Sequence, residues 1–510
     1  MFKNALVSVA NKEGLVEFIK PLAEKGMRVV STGGTAKLLK EAGINVVKVS
    51  EQTGFEEVMD GRVKTLHPRV HMALLARDYV KEDMATLDKI DLQPFDLVVG
   101  NLYAFEQALA KGLNDQDLQE FIDIGGPSFL RAAAKSFSRI TTVCDPKDYQ
   151  EIISLNEIGI EKRKALASKV FYHVSAYDSM VARALSSEEN NKFNEEQKFF
   201  SLGGELVQSL RYGENPQQTS NWYRAFGEKG LHEAEILQGK ALSYNNLLDL
   251  DAALNTLLQF SEPTCVAVKH NNPCGVATAG NYETAVSKGL AADPVSVFGG
   301  IVAINGIVND SMAKELSNIF LECIVAPDFT GEAQRILATK KNLRLLKAGD
   351  LSQWKTKFDF RRVMGGFLVQ DTDQVEQEFS ADWKIVGKNP SDEIKSEMLF
   401  AMKVCASLKS NAIALTSHGQ TLGLGMGQVN RVDAVQQSIL RAKQFHSQAK
   451  EIVLASDAFF PFPDSIEKAA AAGIKWVIQP GGSIKDDDVI KAVENHKMGM
   501  VLTGTRHFKH

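Results

Sequence analysis

Cysteine is scarce and scattered in this chain of 510 residues. Cys144, Cys265, Cys274, Cys323 and Cys405 are odd in number and form no CxxC pair. The pattern argues against a disulfide framework and predicts reduced thiols in a cytoplasmic protein. Long apolar runs are missing too, so no membrane span is expected. The opening MFKNALVSVANK carries an apolar run too short for a secretory leader, and Ser8 breaks it. Positive charge is not in excess: 58 Lys and Arg face 63 Asp and Glu, a net charge of −5. With a pI near 6.1, a dedicated nucleic-acid binder is not expected. Neither GxxxxGKS nor GxGxxG occurs, which removes the common nucleotide-binding loops. The balance of 44% hydrophobic and 24% charged residues is that of a soluble globular protein.

Strand and helix patterns alternate nearly throughout, which predicts α/β layers. In the first third, strands are expected at 5–9, 28–31, 46–49, 96–100 and 139–144. Helical patterns fall at 15–24, 36–41, 117–122 and 129–137, and 162–185 reads as one long helix. The polar stretch SSEENNKFNEE at 186–196 is the expected linker, so domains are expected at 1–195 and 196–510. In the second domain, 264–289 and 411–441 both read strand, turn, strand, helix, the pattern of a duplicated unit.

Against this background GRVKTLHPRVH at 61–71 stands out. Arg62, Lys64 and Arg69 are fixed cations, His67 and His71 titrate, and no acid sits among them. Cations packed this tightly repel unless an anion lies between them. Arg62 and Lys64, two apart in an extended segment, point to one side, and a guanidinium with an ammonium suits a phosphate. A solvated basic loop is the competing reading of this segment taken alone. In an open parallel sheet, ligands sit beyond the carboxyl ends of the strands. Those ends deliver Ser8 and Lys12, then Ser31-Thr32-Gly33-Gly34-Thr35 before a helix, then Asn101 and Tyr103. The Gly33-Gly34 turn lets the backbone come close, and the helix N-terminus presents unpaired N–H groups to an anion. One phosphate of a small ligand is expected there.

A second constellation is expected to complete the pocket. Asp123 precedes Gly125-Gly126-Pro127, and Arg131 and Lys135 lie four apart on the helix that follows. A carboxylate, the Tyr103 phenol and the Lys64 and Lys135 ammonium groups fit a carbonyl oxygen gaining charge while a nearby N–H loses a proton. Helix capping by Asp123 and dipole pairing by Lys135 account for the same residues without chemistry. In the second domain, an apolar strand ends in Lys269-His270 before Asn271-Asn272-Pro273. Both side chains reach one ligand only if the strand breaks there, and the Asn-Asn-Pro turn is the expected break. An ordinary histidine is mostly neutral at pH 7, while about one lysine in a thousand is. His270 is therefore the expected proton acceptor and Lys269 the electrostatic stabiliser. Pro273-Cys274 also invites a zinc-deaminase reading, but Ala277 stands at the second cysteine position and no HxE precedes it, so no metal is expected.

These segments resemble the family of bifunctional AICAR transformylase/IMP cyclohydrolases, over essentially the whole chain. The resemblance rests on STGGTAK (31–37), GRVKTLHP (61–68), GNLYAF (100–105), IDIGGPSFLRAAAK (122–135), LRYGENPQQ (210–218) and VKHNNPCG (268–275). SNAIAL (410–415), QVNR (428–431), DAFFPFPD (457–464) and RHFKH (506–510) extend it. It implies a methylglyoxal-synthase-like parallel-sheet domain followed by a pair of cytidine-deaminase-like α/β subdomains. The first would close formyl-AICAR to IMP with loss of water, using Lys64, Tyr103, Asp123 and Lys135. Ser8, Lys12, Ser31, Thr32, Gly33, Gly34, Thr35, Arg62, Thr65 and Asn101 would hold the nucleotide. Ala10 stands where relatives often carry a second serine, which puts one phosphate or ribose contact in doubt.

For the second domain the resemblance implies formyl transfer from 10-formyltetrahydrofolate to the amine of AICAR. His270 would take the proton, Lys269 would assist the departing folate nitrogen, and Asn411 would hold the formyl oxygen. Arg211, Tyr212, Arg431, Arg506, Phe508 and His510 match ribotide positions. Phe298, Glu322, Phe459, Phe462 and Asp464 match the folate side. A homodimer sharing its transformylase sites is implied as well. Two rivals explain less. A methylglyoxal-synthase-type lyase leaves KHNNPCG and the second domain unexplained, and a nucleotide sensor with dead sites is discouraged by the survival of every matched reactive side chain. GLGMGQ at 423–428 is spaced GxGxG and lacks the acidic residue of a dinucleotide fold.

Overall fold

Ala5-Leu6-Val7, Val29-Val30 and Leu97-Val98-Val99 are buried without polar alternation, as strands covered on both faces must be. They form the centre of a parallel sheet in a computed structural model that describes residues 2–103, 105–186, 198–354, 356 and 358–510. The chain divides into two compact units. One comprises Met1–Glu205 and Arg224–Gly227, the other Leu206–Tyr223 and Glu228–His510. The expected linker beyond Ser186, with the 195/196 boundary, lies outside the described residues.

In the first unit the strands are β1 (Asn4–Ser8), β2 (Arg28–Ser31), β3 (Val46–Lys48), β4 (Leu97–Gly100) and β5 (Thr141–Val143). Their order in the sheet is β3-β2-β1-β4-β5, all parallel. The order reverses between β1 and β4, which places a crevice at the carboxyl ends of β1, β2 and β4. Helices Gly33–Glu41 and Gly125–Lys135 begin at that edge, and the long helix Ile160–Leu185 packs against the second of them. Helix Gly125–Lys135 buries Phe129, Leu130, Ala132, Ala133 and Ala134, so Arg131 and Lys135, four apart, occupy its opposite, exposed face.

The second unit holds β8 (Glu235–Gln238), β9 (Thr264–Lys269), β10 (Asn272–Thr278), β11 (Gly300–Ile304), β12 (Leu321–Ala326) and β13 (Arg344–Lys347). After them come β16 (Lys384–Gly387), β17 (Ile413–Ser417), β18 (Gln420–Gly425), β19 (Val453–Ser456), β20 (Trp476–Gln479) and β21 (Gly499–Leu502). Two ribbons stand outside the large sheet: β6 (Gly204–Leu210) with β7 (Ser220–Ala225), and β14 (Phe358–Val363) with β15 (Gly366–Asp371). The twelve strands run β16-β21-β20-β19-β17-β18-β10-β9-β11-β12-β13-β8. Read outward from the β18·β10 pair, the halves match strand for strand. Each runs antiparallel, antiparallel, parallel, parallel, antiparallel. The expected duplication is therefore present and extends over six strands per copy.

Each copy also places a helix before its central hairpin, Tyr244–Leu257 in one and Asp392–Ala406 in the other, and these helices share one core. GLGMGQ is explained by packing. A Cβ at Gly423 would lie 2.1 Å from the Ser438 carbonyl oxygen, and one at Gly425 would lie 1.9 Å from that of Ala434. The glycines let helix Arg431–Phe445 sit directly on β18.

Two imidazoles are expected to make the first unit acid-sensitive. Burial lowers the pKa of His71 and of His173, and His173 Nε2 is buried with no hydrogen-bond partner among the described residues. An unfolded imidazole takes up its proton near pH 6.5. Between that value and the lower folded one, the unfolded chain binds more protons. The stability these groups contribute is complete above about pH 6.5 and is lost progressively as pH falls from that value through the lower folded one. Thermal unfolding of the first unit is expected at a lower temperature at mildly acid pH than at neutral pH, and His173→Phe is expected to shrink the difference. An unchanged difference in the variant would clear His173 of the effect.

Candidate active sites

A cavity of about 1120 Å³ opens at the carboxyl edge of the first sheet. Ser8, Lys12, Thr32, Gly33, Gly34, Thr35, Arg62, Lys64, Thr65, Asn101, Tyr103 and Asp123 all line it. The polar strand ends and the basic segment thus meet in one place. Helix Gly33–Glu41 has Thr32 as its N-cap without a side-chain cap bond, so first-turn N–H groups remain to meet an anion. Lys64 Nζ lies 3.4 Å from where a Cβ at Gly33 would be, and Lys12 Nζ the same distance from one at Gly34. Two ammonium groups and a helix N-terminus therefore converge on the Gly-Gly bend. Ser8 and Thr32 share a 2.9 Å hydroxyl contact, and Thr35 Oγ1 donates to the Val9 carbonyl at 3.0 Å. Asn101 Oδ1 accepts from the Ala10 and Asn11 amides at 2.7 and 2.9 Å, tying β4 to the loop after β1.

At the other end of the cavity, Asp123 Oδ1 accepts from the Gly126 amide at 2.8 Å. The Tyr177 hydroxyl accepts from the Asp123 amide at 2.7 Å and donates to the Phe121 carbonyl at 3.1 Å, strapping this loop to the long helix. Burial raises the Asp123 pKa, opposed by the Gly126 and Tyr103 amides and by the Lys64 charge. Burial and the Asp123 charge raise that of the Tyr103 phenol. A desolvated carboxylate beside an ammonium and a phenol is an arrangement able to hold an amide proton and stabilise an oxyanion.

Several expected residues lie elsewhere or are already engaged. Ser31, at the end of β2, is fully buried, and its hydroxyl donates to the Val7 carbonyl of the neighbouring β1 at 2.6 Å. Lys135 and Arg131 do not face the cavity. They line a separate cleft with Ala132, Ala134, Phe137, Lys164 and Phe171. Arg62 lines the cavity but is ion-paired with Glu120, the acid that the local segment lacks. Arg69 sits on helix Pro68–Leu75 and bonds the Gln52 and Ile90 carbonyls, while His67 Nδ1 accepts from the Arg69 amide as the cap of that helix. Lys111 and Gln107 line the cavity without having been expected there.

In the second unit, Lys269, His270 and Phe298 line a cavity of about 330 Å³ together with Asp293, Ser296, Gln437 and Arg441. The strand break falls one residue earlier than Asn271-Asn272-Pro273. His270 and Asn271 both have positive φ, 53° and 61°, and form a two-residue turn between β9 and β10. Asn272 and Pro273 already belong to β10, where a register shift accommodates the proline. The turn brings two successive side chains to one cavity, with Lys269 Nζ donating to the Gly299 carbonyl. Glu322 lies outside this cavity and accepts from Asn246 Nδ2 at 2.8 Å.

A buried network forms around Asp457. Arg431 is ion-paired with Asp457 and donates to Ser456 and to Asn411 Oδ1, while Asn411 Nδ2 donates to the Gln428 carbonyl at 2.7 Å. Both polar atoms of Asn411 are thus engaged within the chain. The His507 amide bonds the Asp457 carbonyl, so the tail returns to this network, where the Arg506 guanidinium lies 4.9 Å from the Phe508 ring centroid. The His510 carbonyl accepts from Lys409 and Arg361. Phe459 and Phe462 are exposed in the loop leading to Asp464, and Arg211 faces the Tyr212 ring at the end of β6. None of these lines the Lys269–His270 cavity. Among the described residues no group of three or more His, Cys, Asp or Glu could hold a metal ion, and no helix is long and apolar enough to cross a membrane.

A family model described as the AICARFT/IMPCHase bienzyme matches residues 133–441, and one described as an MGS-like domain matches residues 14–128. The chain belongs to the AICARFT/IMPCHase bienzyme family. The bifunctional purine biosynthesis protein PurH of Aquifex aeolicus is 46% identical over 99% of this chain and 100% of its own length. The proteins of the same name from Persephonella marina and Thermoanaerobacter sp. are each 46% identical, covering 100% of both chains. The bienzyme carries AICAR transformylase and IMP cyclohydrolase activities, the last two steps of purine biosynthesis. The MGS-like match covers β2, β3 and β4 of the five-stranded parallel sheet, as expected for the first domain.

Removing either ammonium at the Gly-Gly bend is expected to weaken inosine monophosphate about ten-fold or more, the usual loss for one charge-assisted hydrogen bond. Calorimetric titration of Lys12→Met and Lys64→Met measures this. Unchanged affinity in both variants would separate the bend from the phosphate.

Proposed function

We propose that the two activities occupy two cavities with separate machinery. Ring closure takes place beside Gly33-Gly34. The 5′-phosphate of formyl-AICAR binds the first-turn amides between Lys12 and Lys64, with Thr32 and Thr35 near it and Asn101 bracing the β1 loop. The carboxamide nitrogen attacks the formyl carbon, Lys64 stabilises the oxyanion, and Asp123 orients the amide and receives its proton. The carbinolamine hydroxyl then leaves as water. Tyr103 closes this end of the site beside Asp123. Lys135, on the exposed face of its helix, has no part in this scheme.

Formyl transfer takes place at the His270 turn, with 10-formyltetrahydrofolate as co-substrate. The aromatic amine of AICAR is a weak nucleophile, so positioning and a base matter most. His270 takes the amine proton as nitrogen attacks the formyl carbon, and Lys269 assists the folate nitrogen as it leaves. Phe298, exposed and 5.3 Å from the Phe320 ring centroid, offers an apolar face to the pterin. The carrying observation is the left-handed His270-Asn271 turn, which turns two successive side chains into one cavity. The separation of Arg211, Tyr212, Arg431, Phe459, Phe462, Asp464, Arg506 and Phe508 from that cavity supports a site completed by a second copy of the chain. All five cysteines are free, which suits a reducing cytoplasm.

His270→Ala is expected to lower formyl transfer at least a hundred-fold while ring closure of added formyl-AICAR stays within two-fold of the unaltered enzyme. Loss of both activities in a folded variant would contradict two independent sites. On serial dilution, transformylase activity per mole is expected to fall while cyclohydrolase activity holds. Parallel behaviour of the two would remove the shared-site dimer.

A further inference from the structure

The duplication exposes a contact that the sequence motifs do not mark. Asp249 stands five residues after the first residue of helix Tyr244–Leu257, and Glu397 stands five after the first of helix Asp392–Ala406. Each reaches the hairpin that follows its helix. Asp249 Oδ1 accepts from the Asn271 amide at 2.6 Å, and Glu397 Oε2 accepts from the Gly419 amide at 2.7 Å. Both amides belong to the second residue of a two-residue left-handed turn, His270-Asn271 in one copy and His418-Gly419 in the other. One device, a helix carboxylate holding a turn amide, thus occurs twice at matching places.

The two turns differ in what they demand of it. His418-Gly419 has a glycine in its second left-handed position, where no Cβ is crowded. His270-Asn271 places two side-chain-bearing residues in a conformation that such residues seldom adopt. Asn272 Nδ2 also donates to the His270 carbonyl at 3.1 Å, and the Lys269 and Asn272 pairing closes the turn from the strand side. A turn left to relax would carry the His270 imidazole away from Lys269, and a misplacement of about 1 Å costs on the order of a hundred-fold in rate.

We propose that Asp249 is a positioning residue for formyl transfer: by holding the Asn271 amide it fixes the left-handed turn that presents His270 beside Lys269. Glu397 makes the matching contact at a turn that takes no part in the chemistry. The proposal rests on His270 as proton acceptor.

The full-length enzyme is assayed for both activities as Asp249→Ala, Asp249→Asn, Glu397→Gln and His270→Ala, with melting temperature confirming folding. Asp249→Ala is expected to lower transformylase kcat about thirty-fold or more, leave the KM for AICAR within three-fold, and leave ring closure unchanged. Asp249→Asn keeps an acceptor for the Asn271 amide and is expected to restore most of the kcat. It also carries the test if the alanine variant does not fold: unaltered melting with a kcat near that of the unaltered enzyme supports the proposal. Glu397→Gln is expected to leave both activities intact. A normal kcat in folded Asp249→Ala, or an equal loss in Glu397→Gln, overturns the positioning role. If His270→Ala itself keeps its transformylase activity, the underlying assignment fails instead, whatever the Asp249 variants do.

Discussion

Like charges from two distant loops meet at the Gly33-Gly34 bend, and the first unit is built to hold them there. Lys12 arrives from the loop after β1, Lys64 from the segment before helix Pro68–Leu75, and the helix N-terminus adds its own positive end. Such a convergence is unfavourable until an anion enters. Parallel strands make it possible, because β1, β2 and β4 all end on one edge and each delivers its polar successor residues to the same crevice. In the proposed scheme a single phosphate satisfies the bend. The rest of the cavity, from Thr65 to Asp123, is then free to act on the other end of the same molecule.

The second unit solves a different problem with a repeated part. Two copies of one α/β unit meet along β10 and β18, and their central hairpins each turn on two residues of left-handed backbone. The copies have diverged in what the turns carry. One presents Lys269 and His270 to a cavity; the other ends in glycine. The antiparallel β10·β18 pairing sets the two turns at opposite ends of the sheet centre.

Much of this was legible in the residues. Apolar runs flanked by Gly, Ser and Asn marked the first-unit strands to within a residue or two, because strands buried on both faces must be apolar throughout. The duplication was visible as a repeated order of elements. What escaped the sequence depends on direction and distance. Ser31 and Thr32 are neighbours, yet the Ser31 hydroxyl is tied to the Val7 carbonyl while Thr32 lines the cavity. Arg131 and Lys135 line a cleft separate from the cavity of Asp123, a placement that their four-residue spacing does not reveal. Glu120, which pairs with Arg62, lies 58 residues away, and no local pattern links the two. The buried Arg431, Asp457 and Asn411 network likewise joins residues that only the folded sheet brings together.

The central claim is that one ribotide phosphate neutralises the charge gathered at the glycine bend. A crystal structure of the enzyme with inosine monophosphate tests it most directly. The account predicts phosphate oxygens within hydrogen-bond distance of the Gly33 and Gly34 amides and between the Lys12 and Lys64 ammonium groups, with the base lying toward Asp123. A nucleotide bound with its phosphate anywhere else in the chain, and the bend left empty, would contradict it.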